Sequence, residues 1–328
     1  MSKKMTCTPL ENLKSKINFK GGFVNAHAHL DRAYTIDTHS LEHTNDHLFE
    51  KWEYVDRIKQ DSTKQDYFNR IKYAVKKQIG FGVSSCLTFI DVDNIVFHNA
   101  LVAANEVKEL IETSYDFDLM IASQALKGIC NIECRLLLEK ALELNFIDII
   151  GGLPRADKGK EAEHLDTLFY FARKYGKRVH VHVDQLNSPY ERETELLARK
   201  TMDYGLEGMV TAVHGISLAA HPIKYRKEVY KMCQDAGLSF VTCPSAWIDH
   251  KRNEMLAPIH NSVTPVEELL EHNLTVALGS DNIHDVYKPY ADGDMFFELR
   301  LLLESCKIYN EDALVKIATE NGRRIIGL

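Results

Sequence analysis

Short apolar runs rich in Val, Ile and Phe alternate along the chain with longer segments whose apolar residues recur at helical spacing. This alternation predicts βα units and a parallel sheet. The runs fall at residues 23–29, 83–92, 119–126, 147–153, 178–183, 209–214, 238–243 and 274–279. Eight is the strand count of a closed α/β barrel, the (β/α)8 TIM barrel. Between the runs, Phe68, Ile71, Val75 and Ile79 share one helical face, and Leu165, Leu168, Phe169, Ala172 and Tyr175 share another that stops at Gly176. A third helix is predicted from Thr264 to about His272, with Thr264 and Glu267 as a capping box and Pro265 in the first turn. Residues 36–62 stand outside this rhythm and form either a surface excursion or a loop covering a substrate.

Composition narrows the picture. A chain of 328 residues, 45% hydrophobic and 27% charged, has ample material for a core. Length alone would divide it into two domains, but the strand rhythm runs through as one barrel over residues 21–328, preceded by an N-terminal segment, 1–20. Lys plus Arg number 40 against 47 Asp plus Glu, and a net charge of −7 offers no footprint for a nucleic-acid backbone. Seven cysteines without a C-x-x-C pair read as free thiols in a reducing cytoplasm, with Cys130 and Cys134 as helix neighbours rather than ligands. No apolar stretch approaches the roughly 18 residues of a spanning helix. The expected partner is a small-molecule substrate in a cytoplasmic protein, with no nucleic acid and no membrane, and homo-oligomerisation is left open.

Candidate chemistry concentrates at strand ends. Of 15 histidines, His27 and His29 end the first run two residues apart, so a period of two sends both imidazoles to one face. His180 and His182 end the fifth; His182 lies about 6.6 Å further out, and His180 is expected to be a buried, hydrogen-bonded barrel residue. His214 ends the sixth run and Asp281 follows the eighth. In a barrel, C-terminal strand ends form the catalytic face. Imidazoles with a carboxylate suit one divalent ion, zinc or iron, with positions open for water and substrate.

The stretch from Phe23 through His27, His29 and Asp31 to Arg32 resembles the amidohydrolase superfamily of metal-dependent hydrolases, as do Gly151 to Pro154, His182 to Gln185 and Gly279 to Pro289. Within that superfamily the likeness is greatest to cytosine deaminase and related aminohydrolases, and it runs over nearly the whole chain. It implies that His27, His29, His182 and Asp281 ligate one metal and that His214 orients water or substrate. Departures carry information. The flanking β-sandwich common in such proteins is expected to be absent. The fourth run ends Gly152-Leu153-Pro154-Arg155 where binuclear relatives carry a carboxylated lysine, which favours a single metal. Gln185 stands where cytosine deaminase has a proton-shuttling Glu, and Gln cannot take that proton. Asn282 replaces a second carboxylate, and Leu126 the pyrimidine-gripping Gln, with Gln124 and Lys127 nearby.

The expected reaction is therefore metal-activated hydrolysis of a non-peptide carbon–nitrogen bond, foremost a cyclic amide. Asp281 carries the proton, His214 stabilises the oxyanion, and Gln185 donates a hydrogen bond. The alternatives are an aminohydrolase of an aminated heterocycle other than cytosine, or a binding protein that keeps its metal but is catalytically silent. Trp247 and Tyr287 are candidates for stacking on a flat ring, with Leu126 beside them. Arg32, Arg155 and Lys288 share the face and are candidates for meeting a carboxylate. Asp31 and Asp285 are expected to brace ligands or loops.

Overall fold

The computed structural model describes residues 8–46, 48–246 and 263–328. Its eight strands are β1 (Phe23–Ala28), β2 (Val83–Asp91), β3 (Asp118–Gln124), β4 (Ile149–Gly152), β5 (Arg178–Val183), β6 (Val210–His214), β7 (Ser239–Thr242) and β8 (Thr275–Leu278). They pair in parallel in sequential order. The ring is joined between its first and last strands by backbone hydrogen bonds, from the Ser280 and Asp281 amides to the His27 carbonyl (3.1 and 3.0 Å) and from His29 N–H to Asp281 (3.3 Å). The architecture is a (β/α)8 barrel, and each predicted strand appears within a few residues of its expected ends.

The helices in chain order are α1 (Pro9–Phe19), α2 (Leu48–Asp61), α3 (Lys64–Gly80), α4 (Asn99–Ser114), α5 (Ile132–Leu142) and α6 (Glu161–Tyr175). They continue with α7 (Glu193–Tyr204), α8 (Ile223–Asp235), α9 (Val266–Glu271), α10 (Met295–Ser305), α11 (Glu311–Ala318) and α12 (Glu320–Ile326). The face of α3 through Ile71 and Val75 and that of α6 through Leu165, Leu168 and Phe169 are buried in the main core between strands and helices. Gly176 ends α6 at φ 64°, in the left-handed region that glycine enters without cost. A second core fills the barrel, with Val24, Leu87, Phe89, Ile149 and Val241 closed from below by Ile325 and Ile326 of α12. His180 sits in that interior, fully buried, and its Nε2–H donates to the Ile325 carbonyl at 3.1 Å.

Two local expectations are corrected. The Thr264–Glu267 capping box does not form: α9 begins after Pro265, and the Thr264 hydroxyl donates instead to the His214 carbonyl at 2.5 Å. Tertiary demand for that hydroxyl outweighs a local cap. Residues 36–62 are largely helical, comprising a 3-10 turn, Leu41–Asn45, and α2. The buried face of α2 is Lys51, Val55 and Lys59, spaced by four, so two of its three positions are charged and apolar periodicity does not reveal it. The six described cysteines form no disulfide, and no helix among the described residues is long and apolar enough to cross a membrane.

Candidate metal centre and substrate pocket

The register of β1 on β2 slips between Asn25 and Ala28, where the histidine pair begins. From there His27 and His29 enter the mouth of the barrel, and His182 from β5, His214 from β6 and Asp281 after β8 converge on them. Asp281 Oδ1 lies 3.3 Å from both His27 Nε2 and His29 Nε2, and His29 Nε2 lies 3.4 Å from His182 Nε2. Donor atoms of His27, His182 and His214 also lie within 4.8 Å of one another. Gly279 makes room, because a Cβ there would come within 2.8 Å of His27 Cβ and 2.9 Å of Cys243 Sγ. His214 and Asp281 hold φ of 76° and 59°, left-handed values that cost a non-glycine residue energy and aim these two side chains at the centre.

The cluster has the properties of a cation site. All five side chains are buried. Burial drives the imidazoles toward the neutral, lone-pair form, lowering His29 to about 3 and His214 to about 4 and holding His27 and His182 below the usual histidine value. Burial alone would raise Asp281, but its contacts with His27 and His29 hold it well below the ordinary carboxylate range. His182 Nδ1–H donates to the Gly152 carbonyl at 3.1 Å, which turns the Nε2 lone pair to the centre. Both nitrogens of His27, and Nδ1 of His29 and of His214, are buried without a hydrogen-bond partner. Ligands bonded at about 2.0–2.1 Å around a tetrahedral ion stand about 3.3 Å apart, which is the spacing found here.

Above the cluster lies a small cavity open to solvent. His29, His182, His214 and Asp281 face it from below, and its walls are Arg32, Trp52, Gln124, Leu126, Leu153, Gln185, Asn282 and Tyr287. Gln185, Tyr287 and Leu126 therefore share one cavity with the histidines, while Trp247 lies outside the described residues. Sequence reasoning missed Trp52, because α2 was read as a loop. It left Gln124 as an alternative, and Gln124 lines the wall with its buried Oε1 without a hydrogen-bond partner.

The three basic candidates separate. Lys288 is buried away from the cavity, donating to the Ser280 carbonyl at 2.5 Å and lying 3.5 Å from Glu298. Arg155 pairs with Glu191. Arg32 alone of the three lines the cavity. Asp31 accepts the Asp91 amide at 3.1 Å, and Asp285 accepts the Tyr287 and Lys288 amides at 3.0 and 3.1 Å, so both brace backbone.

The profile described as the amidohydrolase family matches residues 21–328. The chain belongs to the amidohydrolase family. It is thus a metal-dependent hydrolase of carbon–nitrogen bonds other than peptide bonds. An uncharacterised protein of Haemophilus influenzae is 38% identical over 79% of this chain and 94% of its own. The N-isopropylammelide isopropyl amidohydrolase of Pseudomonas sp. is 26% identical over 96% of this chain and 78% of that one. Among solved structures, 5-methylcytosine deaminase from Klebsiella pneumoniae superposes with a TM-score of 0.84 at 26% identity, covering 93% of this chain and 74% of that one.

Among the described residues, no nearby carboxylate takes over the position that Gln185 occupies in this amidohydrolase. Asp184 turns away to accept the Glu193 and Thr194 amides at 2.8 and 3.1 Å. Glu193 accepts the Asp184 amide, and Glu191 is engaged by Arg155, Ser217 and the Leu186 amide. Neither glutamate lines the cavity. Among the described lining residues Asp281 is the only carboxylate.

Proposed function

We propose that this amidohydrolase removes an exocyclic amine or ammonia from a small, single-ring nitrogen heterocycle, using one zinc ion in preference to iron, held by His27, His29, His182 and Asp281. The observation that carries the reading is the convergence of neutral imidazoles and one ionised carboxylate at 3.3–3.4 Å on the floor of a small cavity with amide side chains on its walls. The names of the 26%-identical relatives, an isopropyl amidohydrolase of an ammelide and a deaminase of a methylated cytosine, support amine release over the ring-amide cleavage that the sequence put first.

Activation of water near neutral pH and polarisation of the reacting ring carbon are what such an ion supplies. The rest falls to side chains. Asp281 accepts one proton of the attacking water and delivers it to the leaving nitrogen as the carbon–nitrogen bond breaks. The water oxygen ends on the ring carbon, its second proton stays with the oxo product, and the amine departs neutral. His214, neutral and at the cavity edge, donates a hydrogen bond to the oxygen as charge develops there. Gln185, Gln124 and Asn282 orient the ring through their amides and take no part in proton transfer. The reducing cytoplasm is the proposed location, in keeping with the unpaired thiols.

The test is elemental analysis together with an amine-release assay over single-ring aminopyrimidines and amino- or alkylaminotriazines. About one equivalent of zinc and release of amine without ring opening is the expected outcome. Ring opening without amine, or tight binding with no turnover on any member, would refute it.

A further inference from the structure

We propose that Arg32 forms an anion-reading subsite on the wall of this cavity, selecting a ring that presents two adjacent acceptor atoms sharing a negative charge. Those atoms belong either to a deprotonated lactam or imide or to a ring carboxylate. The inference rests on the cavity being the substrate site and adds the charge of what it admits.

Arg32 follows β1 directly in the single 3-10 turn Leu30–Arg32. It is only 7% exposed, yet its one hydrogen bond among the described residues runs from Nη1 to Asp91 Oδ2 at 3.2 Å. Its Nε lies 4.0 Å from Asp285 Oδ2, beyond bonding reach, and is buried without a partner. A guanidinium carries five N–H donors, and buried donors are nearly always met. A structural role accounts for its charge but not for its donors: Asp31, Asp91 and Asp285 all lie near enough to act on Arg32, yet Asp91 alone accepts from it, and Lys59 already serves Asp91 at 2.8 Å and Asp93 at 2.7 Å. Asp91 thus has its cation, and one edge of it steers Arg32 while most of the fork stays unspent.

Chemistry decides what completes the fork. Arg32 is the only Lys or Arg among the described residues lining the cavity, and the Tyr287 ring lies 5.7 Å from its guanidinium carbon. A planar ring lying between the cation site and Arg32 meets positive charge at both ends. A rigid planar fork matches two adjacent anionic acceptors bidentately, as a single-point lysine does not.

The experiment is isothermal titration of zinc-loaded protein near pH 8 with three single-ring probes: uracil, neutral at that pH; cyanurate, an imide anion; and orotate, a ring carboxylate. Wild type is expected to bind one or both anions roughly ten- to a hundredfold more tightly than uracil. Preference for cyanurate alone identifies the deprotonated ring as the source of charge, and preference for orotate alone the carboxylate. Arg32→Met is expected to erase the preference and Arg32→Lys to keep part of it. Because Arg32→Met removes one of Asp91's two cations, Arg32→Met with Asp91→Asn repeats the measurement without that burden. Equal binding of all three probes by wild type, or an anion preference that survives in both Met variants, overturns the proposal. Zinc content and amine release measured on the same samples separate the two readings: retained turnover without anion preference sinks only the subsite, and Arg32-dependent anion binding without turnover on any substrate sinks only the amine-release reaction.

Discussion

On the cavity floor, His29, His182, His214 and Asp281 hang from strand ends whose backbones are cross-linked, so that the bonds joining β1 to β8 also fix the donors. On the wall, Trp52 rides on α2, which is held through Lys59 on Asp91 and Asp93 and through Lys127 on Asp56. A small satellite cluster of Ile36, Val55 and Val286 lies beneath it. The floor draws its rigidity from the sheet, and the wall from buried charge. Strand-end placement holds donors to the few tenths of an ångström that coordination demands. Ion-paired helices tolerate substitution in what they cover but fail when one partner is lost.

That contrast can be broken first at the floor. Asp281→Asn is expected to lower kcat by about a thousandfold or more, since ligation and proton transfer are lost together, while the circular dichroism of the barrel is unchanged. A loss below tenfold would remove Asp281 from the mechanism. The next test belongs to the wall. Lys59→Met leaves buried carboxylates short of a cation and is expected to cost about 3–5 kcal/mol in urea denaturation and to raise KM, with zinc content unchanged. If zinc is lost as well, floor and wall are one unit and the comparison fails.

A smaller effect sharpens it outside both regions. Burial, then the charges of Asp184 and Glu191, raise Glu193 to about 8, so between about 4.5 and 8 the folded chain holds a proton that the unfolded chain has released. Folding stability attributable to this group is full below that window and falls as pH rises through it, by about 1.4 kcal/mol per pH unit. Melting curves of wild type and Glu193→Gln should diverge across that range, with the Gln variant the more stable at its upper end and the metal content of both equal. Parallel curves would show that Glu193 is ionised in the folded protein.

Much of the floor was legible before folding was considered. Alternation of period two, Val- and Ile-rich runs and histidines at their ends are local features, and a barrel gathers its strand ends at one mouth whatever the loops do. His27, His29, His182, His214 and Asp281 could be chosen on that basis, whereas Gln185 and Leu126 came from the resemblance to cytosine deaminase. The wall was not legible in this way. On α2 the buried positions are Lys51, Val55 and Lys59, and a lysine on a buried face resembles a lysine in solvent until its carboxylates are found 34 residues away. Arg32, Arg155 and Lys288 looked alike as basic residues on one face. Their partners decided otherwise: Arg155 pairs with Glu191, Lys288 with Ser280 and Glu298, and Arg32 faces the cavity.

The sequence by itself determined the barrel and the identity of the side chains at its mouth, because both depend on the spacing of residues along single strands. Only the tertiary structure decided that the donors stand 3.3–3.4 Å apart, that Gln124 and Trp52 share the pocket with them, and that Asp184, Glu191 and Glu193 are turned away from it. Those outcomes depend on ion pairs and hydrogen bonds between groups far apart in the chain, whose energies arise only when burial removes the competing water.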